Sequence, residues 1–173
     1  EEVSSYEVPN GYSLPFQPNL MQKLCVYRLI KMRNYGNWSG MGAGKTLSFI
    51  LSSRDINSKV TVVVALNSAV EQICDNIKDV FPDSIVYNGW NNTINIDYSK
   101  HNYIVINFEK FQQNYSEEYF QEFTNMVKID FVVVDEVHSA KQRVESKMSE
   151  RRSALLRFIG RCRKNNTELC VLA

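Results

Sequence analysis

The stretch Ser39-Gly40-Met41-Gly42-Ala43-Gly44-Lys45-Thr46 decides the fold, because it concentrates three glycines, a lysine and a threonine in eight residues. Glycine lets a backbone take positive φ and approach an anion closely, since no Cβ intervenes. Successive backbone N–H groups can then point at one phosphate, and a following helix adds its positive end. Lys45 would reach the β- and γ-phosphates, and the hydroxyl of Thr46 would bind Mg²⁺. The stretch therefore predicts a phosphate loop.

A second stretch, Phe131-Val132-Val133-Val134-Asp135-Glu136-Val137-His138, supplies the context that this loop needs. Four apolar residues that lead into two carboxylates predict a buried strand of a parallel sheet with an acidic carboxyl end. Open α/β sheets bind their ligands at that end. Asp135 would hold the magnesium of a bound nucleotide, and Glu136 would orient a water. This pairing makes a flexible turn a poor explanation of the glycine-rich stretch.

Residues 42–46 (Gly-Ala-Gly-Lys-Thr) and 135–138 (Asp-Glu-Val-His) together resemble motifs I and II of the superfamily-two helicases and translocases. The position of Ser39 is often not glycine in that superfamily, and the form with His138 is similar to the DExH and Swi/Snf-like branches. The resemblance covers the chain from about Gly11 to Ala173. It implies an α/β fold, a RecA-like P-loop NTPase domain. Apolar strands alternating with helices independently predict a mostly parallel central sheet with helices on both faces.

Length, charge and composition indicate the broad class of protein. A chain of 173 residues fits one domain, and a net charge of +1 shows no overall basicity, although a nucleic-acid track needs only one basic face. No apolar run reaches the ~18 residues that predict a membrane span, so we expect no membrane partner. The cysteines are scattered, which predicts reduced core thiols of an intracellular protein of the cytoplasm, nucleoid or nucleus. They are Cys25, Cys74, Cys162 and Cys170.

The domain prediction divides the chain into an extended lead-in, 1–19, and a first RecA-like ATP-binding domain, 20–173. The lead-in is rich in turn-forming residues. A helix is predicted over 20–32, with Asn19 as its N-cap. Its predicted apolar face consists of Leu20, Leu24, Tyr27, Leu29 and Ile30.

The start of that helix resembles the Q-motif region of the same superfamily. The resemblance implies that Gln22 hydrogen-bonds the adenine edge of ATP, and Tyr12 would be the aromatic residue that stacks on the base. A solvated helix position remains an equal explanation of Gln22.

Further elements follow from apolar runs and periodicity. Strands are predicted at 35–38, 60–66, 85–87, 103–108, 131–134 and 168–172. Helices are predicted at 46–53, 67–80, 109–126 and 149–162, and Asn67-Ser68 would cap the second of these.

Nucleic-acid contacts are implied by resemblance at three positions. Ser68 follows a strand as in motif Ia, Asn107 begins an Asn-Phe-Glu similar to the "N-Y-E" of Swi/Snf-like motors, and Lys141 follows motif II. Simpler explanations stay open, namely a helix cap for Ser68 and a strand-ending turn for Asn107. The segment 141–164 is the one clearly basic region, which suits either a DNA backbone or a solvated helix face.

The resemblance also implies a mechanism. The backbone of residues 40–46 and the side chain of Lys45 hold the phosphates, Thr46 and Asp135 hold Mg²⁺, and Glu136 is the general base. His138 couples the nucleotide site to a second RecA-like domain of the same parent protein, which we expect outside this chain. Because that domain would supply the arginine finger, worth ~10³ to 10⁵ in rate in other systems, we expect the chain alone to bind ATP weakly and to hydrolyse it negligibly.

Three functions are compatible with these residues. The first is an ATP-dependent translocase on nucleic acid, with double-stranded DNA favoured by the Asn-Phe-Glu and by Lys141. The second is a DExH helicase that separates RNA or DNA strands. The third is a nucleotide-binding regulatory switch, for which stimulation by nucleic acid is the discriminating test.

Overall fold

A single parallel sheet organises the structure, a computed structural model that describes residues 3, 5–37, 44–135 and 147–173. Its strands are β1 (Asn34–Tyr35), β2 (Val60–Ala65), β3 (Ile85–Asn88), β4 (Asn102–Asn107), β5 (Phe131–Val134) and β6 (Cys170–Leu172). The helices are α1 (Leu20–Met32), α2 (Lys45–Asp55), α3 (Asn67–Val80), α4 (Ser116–Met126) and α5 (Lys147–Asn165), with a 3₁₀ helix at Phe108–Gln112. Within the described residues the strand order is β1-β6-β5-β2-β4-β3, and all neighbouring strands are parallel.

Helices cover both faces of this sheet. Along β2, Val63 and Ala65 belong to the apolar cluster that includes α1, α2 and α3. Val62 and Val64 point the other way, into the cluster that includes α4 and α5. A strand buried on both faces needs an unbroken apolar run, and β2 supplies one. The predicted fold class is therefore confirmed.

The predicted limits of α1 are confirmed, and so is its N-cap. The side chain of Asn19 accepts the N–H of Gln22, and the helix ends at Met32. The predicted buried face is partly wrong, because Leu20 and Ile30 are 66% and 49% exposed. The buried residues are instead Gln22, Cys25, Val26 and Leu29. Helix α1 carries apolar residues on more than one side, so periodicity alone does not decide which side faces α2.

The helix predicted over 109–126 is wrong as a single element. The chain forms the 3₁₀ helix first, and α4 begins only at Ser116. The two parts fold onto each other, and the rings of Phe111 and Phe120 stack with centroids 4.2 Å apart. Spacings of three residues between phenylalanines fit both helix types, so the pattern does not reveal the break.

The lead-in, residues 5–19, contains neither helix nor strand and packs along α2 and α3. The N–H of Ser13 donates to the carbonyl of Val80 at 3.0 Å. The hydroxyl of Tyr6 donates to the carboxylate of Asp55 at 2.5 Å. These contacts bind the lead-in to the same core as the first three helices.

All four cysteines are buried free thiols, as predicted. Burial raises the pKa of Cys25 to about 11 and that of Cys162 to about 12. Such thiols stay protonated near neutral pH and react slowly. Within the described part of the chain, no helix combines the length and the apolarity needed to cross a membrane.

The burial of the Asp55 carboxylate beside Tyr6 gives the domain a pH-dependent stability. Burial raises the pKa of Asp55 to about 6 and outweighs the hydrogen bond from Tyr6, which acts in the opposite direction. A carboxyl whose pKa is higher in the folded state stabilises the fold most at low pH and loses that contribution as pH rises through about 6. Asp55→Asn keeps an acceptor for Tyr6 and removes the buried charge.

We therefore expect Asp55→Asn to raise the free energy of unfolding at pH 8 by about 1 to 2 kcal/mol, a value reduced for the solvent screening of a partly exposed group. Near pH 4 the two proteins should differ little. Urea unfolding at both pH values measures the effect, with the exposed Asp75→Asn as control. An equal effect at both pH values would contradict this explanation.

Candidate functional site

The start of α2 has the geometry of a phosphate site. Gly44 is the N-cap of α2 and has φ of 70°, a left-handed conformation that favours glycine. Within the described residues, no side chain caps this helix and its first turn contains no acidic residue. Its first N–H groups and the positive end of its dipole therefore remain suited to an anion. Lys45 and Thr46 are the first two residues of α2, both partly buried.

The sheet brings this helix start and Asp135 to the same edge. This is the edge at which the parallel strands have their carboxyl ends, and we call it the carboxyl edge. The N–H of Asn37, beyond β1, donates to the carbonyl of Ala173, beyond β6, so Asn37 lies at the carboxyl edge. Asp135 follows β5 directly, and its N–H donates to the carbonyl of Val64 in β2 at 2.9 Å. A carboxylate and a threonine hydroxyl at one edge are oxygen ligands of the kind that Mg²⁺ takes beside phosphates. The residues present thus fit a magnesium nucleotide.

Gln22 is buried against this site. The side chain is 7% exposed, so the alternative of a solvated helix residue is wrong. Its Nε2 donates to the carbonyl of Gly44 at 3.2 Å, and its Oε1 accepts the N–H of Asn19 at 2.8 Å. Tyr12, predicted to stack on the base, lies elsewhere: its ring packs edge-on against Phe81, which follows the far end of α3. Helix α3 has 14 residues, so that end is about 20 Å from the carboxyl edge.

A comparison with family models identifies the chain. The family described as "Type III restriction enzyme, res subunit" matches residues 15–163. The chain belongs to this family. The match includes the phosphate loop, β5 and most of α5, and it confirms the resemblance to superfamily-two helicases. No match was found among curated protein sequences.

Two solved structures have a similar fold. The SWI2/SNF2 ATPase core of Sulfolobus solfataricus, solved in complex with double-stranded DNA, is 14% identical with a TM-score of 0.59, over 97% of this chain. The UvsW helicase of bacteriophage T4 is 17% identical with a TM-score of 0.54, over 99% of this chain. The chain spans 34% and 56% of the lengths of these two proteins. At these identities the likeness establishes the RecA-like fold.

Several predicted site residues of this res-subunit domain lie outside the described residues. They are Gly40, Met41, Gly42 and Ala43 of the phosphate loop, and Glu136, His138 and Lys141 beyond β5. Their roles remain predictions. The structure describes five other predicted site residues, which lie around the start of α2 and at the carboxyl edge beside it. They are Gln22, Gly44, Lys45, Thr46 and Asp135.

The two described residues predicted to contact nucleic acid lie at the same carboxyl edge. Ser68 is exposed in the first turn of α3. The N-cap is Leu66, and among the described residues no side chain caps this helix, so the predicted Asn67-Ser68 cap is wrong. Asn107 ends β4 and accepts the N–H of Lys110, which lies in the 3₁₀ helix. Its Nδ2 also donates to Oδ1 of Asn67 at 3.2 Å. The sequence does not predict this contact, because it arises from the pairing of β2 with β4.

Several arginines of the basic region, residues 141–164, contact other residues of the domain. Arg157 and Arg161 of α5 both pair with Glu117 of α4, although these residues are far apart in sequence. Other arginines bond to neutral side chains, Arg151 to Gln112 and Arg163 to Asn34. Within the described residues, much of the positive charge of α5 therefore holds α5 to its neighbours. Arg152 and Lys164 are exposed.

Proposed function

We propose that this domain binds ATP with Mg²⁺ and is the ATP-binding half of a motor that moves along double-stranded DNA. The observation that carries the proposal is the meeting of the α2 start, with Gly44, Lys45 and Thr46, and Asp135 at one carboxyl edge of a parallel sheet. Membership of the res-subunit family supports a helicase-like ATPase, and we propose that its nucleotide site lies at this edge. The second RecA-like domain is proposed to lie elsewhere in the parent protein.

The residues take separate roles in this proposal. The backbone of residues 40–46 and the ammonium of Lys45 bind the phosphates, and the Thr46 hydroxyl and Asp135 carboxylate hold the metal. When bound, Mg²⁺ supplies positive charge that offsets charge on the transferred phosphoryl group. Glu136 accepts the proton of the attacking water. His138 links this edge to the second domain.

The choice of double-stranded DNA rests on two supports. One similar structure, the Sulfolobus SWI2/SNF2 core, was solved in complex with double-stranded DNA. Ser68 follows β2 and Asn107 ends β4, and these two strands are neighbours, so both residues lie at the carboxyl edge. We propose that Lys141 contacts the DNA together with them. Separation of strands is the second candidate, because the other similar structure is a helicase.

The test is the ATPase rate of the full-length protein with duplex DNA, single-stranded DNA, RNA or no nucleic acid. We expect strong stimulation by duplex DNA. Stimulation by single-stranded DNA or RNA alone would instead support the strand-separating helicase. An ATPase indifferent to every nucleic acid would contradict the motor and leave a regulatory nucleotide switch as the better account.

A further inference from the structure

Helix α1 has a second apolar side, which faces solvent and which we call its outward face. Cys25 and Leu29 mark the inward side, because both are buried in the apolar cluster shared with α2 and α3. The outward face consists of Leu20, Leu24 and Tyr27, whose spacing places them on the opposite side of the helix. Leu20 is 66% exposed, and the other two are half-buried. Among the described residues, neither Leu24 nor Tyr27 belongs to the apolar clusters that flank the sheet.

Exposed apolar side chains are concentrated around the outward face. Of the nine large apolar residues that are exposed within the described part of the chain, five lie in the short stretch from the end of the lead-in to the end of α1. They are Phe16, Leu20, Met21, Ile30 and Met32. Exposed apolar residues that occur singly need no explanation, whereas a concentration of them is typical of a surface that contacts another molecule.

Every charged side chain of α1 is positive. Lys23 and Arg28 flank the outward face on its two sides, and Lys31 extends it by one turn. The same bias holds beyond the helix, because no aspartate or glutamate occurs between Glu7 and Asp55. A partner that matches this surface therefore carries apolar groups and negative charge side by side.

The spacing of the outward face fits a helix as that partner. Positions 20, 24, 27 and 31 are separated by four, three and four residues, which is the spacing of the seam along which two helices pack. Helix α1 has 13 residues, so this seam is about 20 Å long. Apolar side chains of a second helix would pack along the outward face, and carboxylates beside them would pair with Lys23 and Arg28. Because so short a seam buries little area, the contact would be weak and reversible.

Other partners match only part of this surface. A second copy of the chain that met it symmetrically would place cations against cations, because α1 contains no acidic residue. A DNA backbone would match the cations but would leave the apolar side chains without apolar contacts. An anionic bilayer suits a helix whose cations lie outside its apolar face, whereas Lys31 lies in line with the apolar residues.

We propose that the outward face of α1 is a docking surface for an amphipathic helix of a partner protein, one whose apolar stripe is flanked by aspartate or glutamate. Apolar burial along the seam supplies the attraction, and the opposite charges select the partner and its orientation. The inference does not depend on the proposed nucleotide site, so the two can be tested separately.

The experiment measures the binding of a labelled synthetic peptide to the full-length protein by fluorescence anisotropy. The peptide is a helix of about 21 residues with leucine at heptad positions a and d and glutamate at e and g. A second peptide has lysine in place of every glutamate. We expect the acidic peptide to bind with a dissociation constant of about 10 to 100 µM, as suits a small interface. The basic peptide should not bind, because like charges would face each other.

Two substitutions test the apolar and the charged components. Leu20→Gln should weaken binding of the acidic peptide about tenfold, because an apolar side chain no longer packs in the seam. Lys31→Glu should weaken it about fivefold at low salt and less at high salt, because a charge in the last turn of α1 is reversed. The matched controls are Leu156→Gln, at an exposed position of α5, and Lys78→Glu, in the last turn of α3. Both controls should bind the peptide as the wild type does, and all four variants should melt close to the wild-type temperature because these side chains are exposed.

The possible outcomes decide what the outward face contacts. Failure of the acidic peptide to bind would overturn the proposal, and so would equal binding of both peptides or equal losses in the control variants. Vesicles of phosphatidylserine and phosphatidylcholine that displace the peptide would assign the face to a lipid surface instead. Displacement of the peptide by duplex DNA would assign it to nucleic acid. None of these measurements involves ATP, so a protein that binds no nucleotide would contradict the proposed motor and leave the docking surface intact.

Discussion

Lys45→Ala is expected to remove measurable ATP binding and, with it, all ATPase activity of the full-length protein. Lys45 is the first residue of α2, so its side chain starts from the helix end that would face the phosphates. A unit charge about 4 Å from a phosphate contributes about 4 kcal/mol at the effective dielectric of a protein surface. That loss corresponds to roughly a thousandfold weaker binding. Calorimetric titration of ATP–Mg²⁺ into the variant measures it.

The matched control is Lys100→Ala, which removes the same charge from an exposed position before β4. It should bind ATP as the wild type does, and both variants should unfold at the same temperature in the absence of nucleotide. If Lys45→Ala bound ATP with wild-type affinity, the phosphates would lie somewhere other than the start of α2. The nucleotide site would then have to be sought elsewhere on the carboxyl edge.

Local sequence signals predict much of this fold. The cap at Asn19 and the limits of α1 and α3 follow from residues that are neighbours in the chain, and the structure confirms them. The apolar run of β2 predicts a strand buried on both faces for the same reason. The conformation of a short motif depends mainly on residues that are neighbours in the chain. A phosphate loop can therefore be predicted from its residues alone.

Contacts between distant elements cannot be predicted in this way. Arg157 and Arg161 contribute to a basic region in the sequence, but both pair with Glu117 because α4 packs beside α5. The contact of Asn67 with Asn107 exists because β2 pairs with β4, and sequence alone does not determine strand order. In each case the sequence does not show which helix or strand packs beside the residue.

Gln22 is a further residue whose partner in the fold cannot be predicted from the sequence. Its sequence position leaves two alternatives, an adenine contact or a solvated helix surface. The structure adds the carbonyl of Gly44 as a partner, and that partner is distant in sequence. Burial of the amide excludes the solvated surface.

Glu136→Gln in the full-length protein is expected to leave ATP binding intact and to stop turnover. The amide has the shape of the carboxylate but is a far weaker base, so it does not take the proton of the attacking water. General-base catalysis contributes typically ~10² to 10⁴ in rate, which sets the expected fall in kcat. The affinity for ATP should stay the same or rise, because one negative charge near the phosphates is removed. Single-turnover hydrolysis and calorimetric titration together separate the two effects.

Comparison with Lys45→Ala makes this prediction specific. If both residues act at one nucleotide, Lys45→Ala loses binding whereas Glu136→Gln loses only the chemical step, a division that general damage to the fold would not produce. Glu122→Gln, at an exposed position of α4, controls for the loss of a carboxylate and should hydrolyse ATP at the wild-type rate. A Glu136→Gln protein with wild-type turnover would exclude Glu136 as the base. Because Asp135 is proposed to hold the metal, the search for the base would then move to other carboxylates near the carboxyl edge.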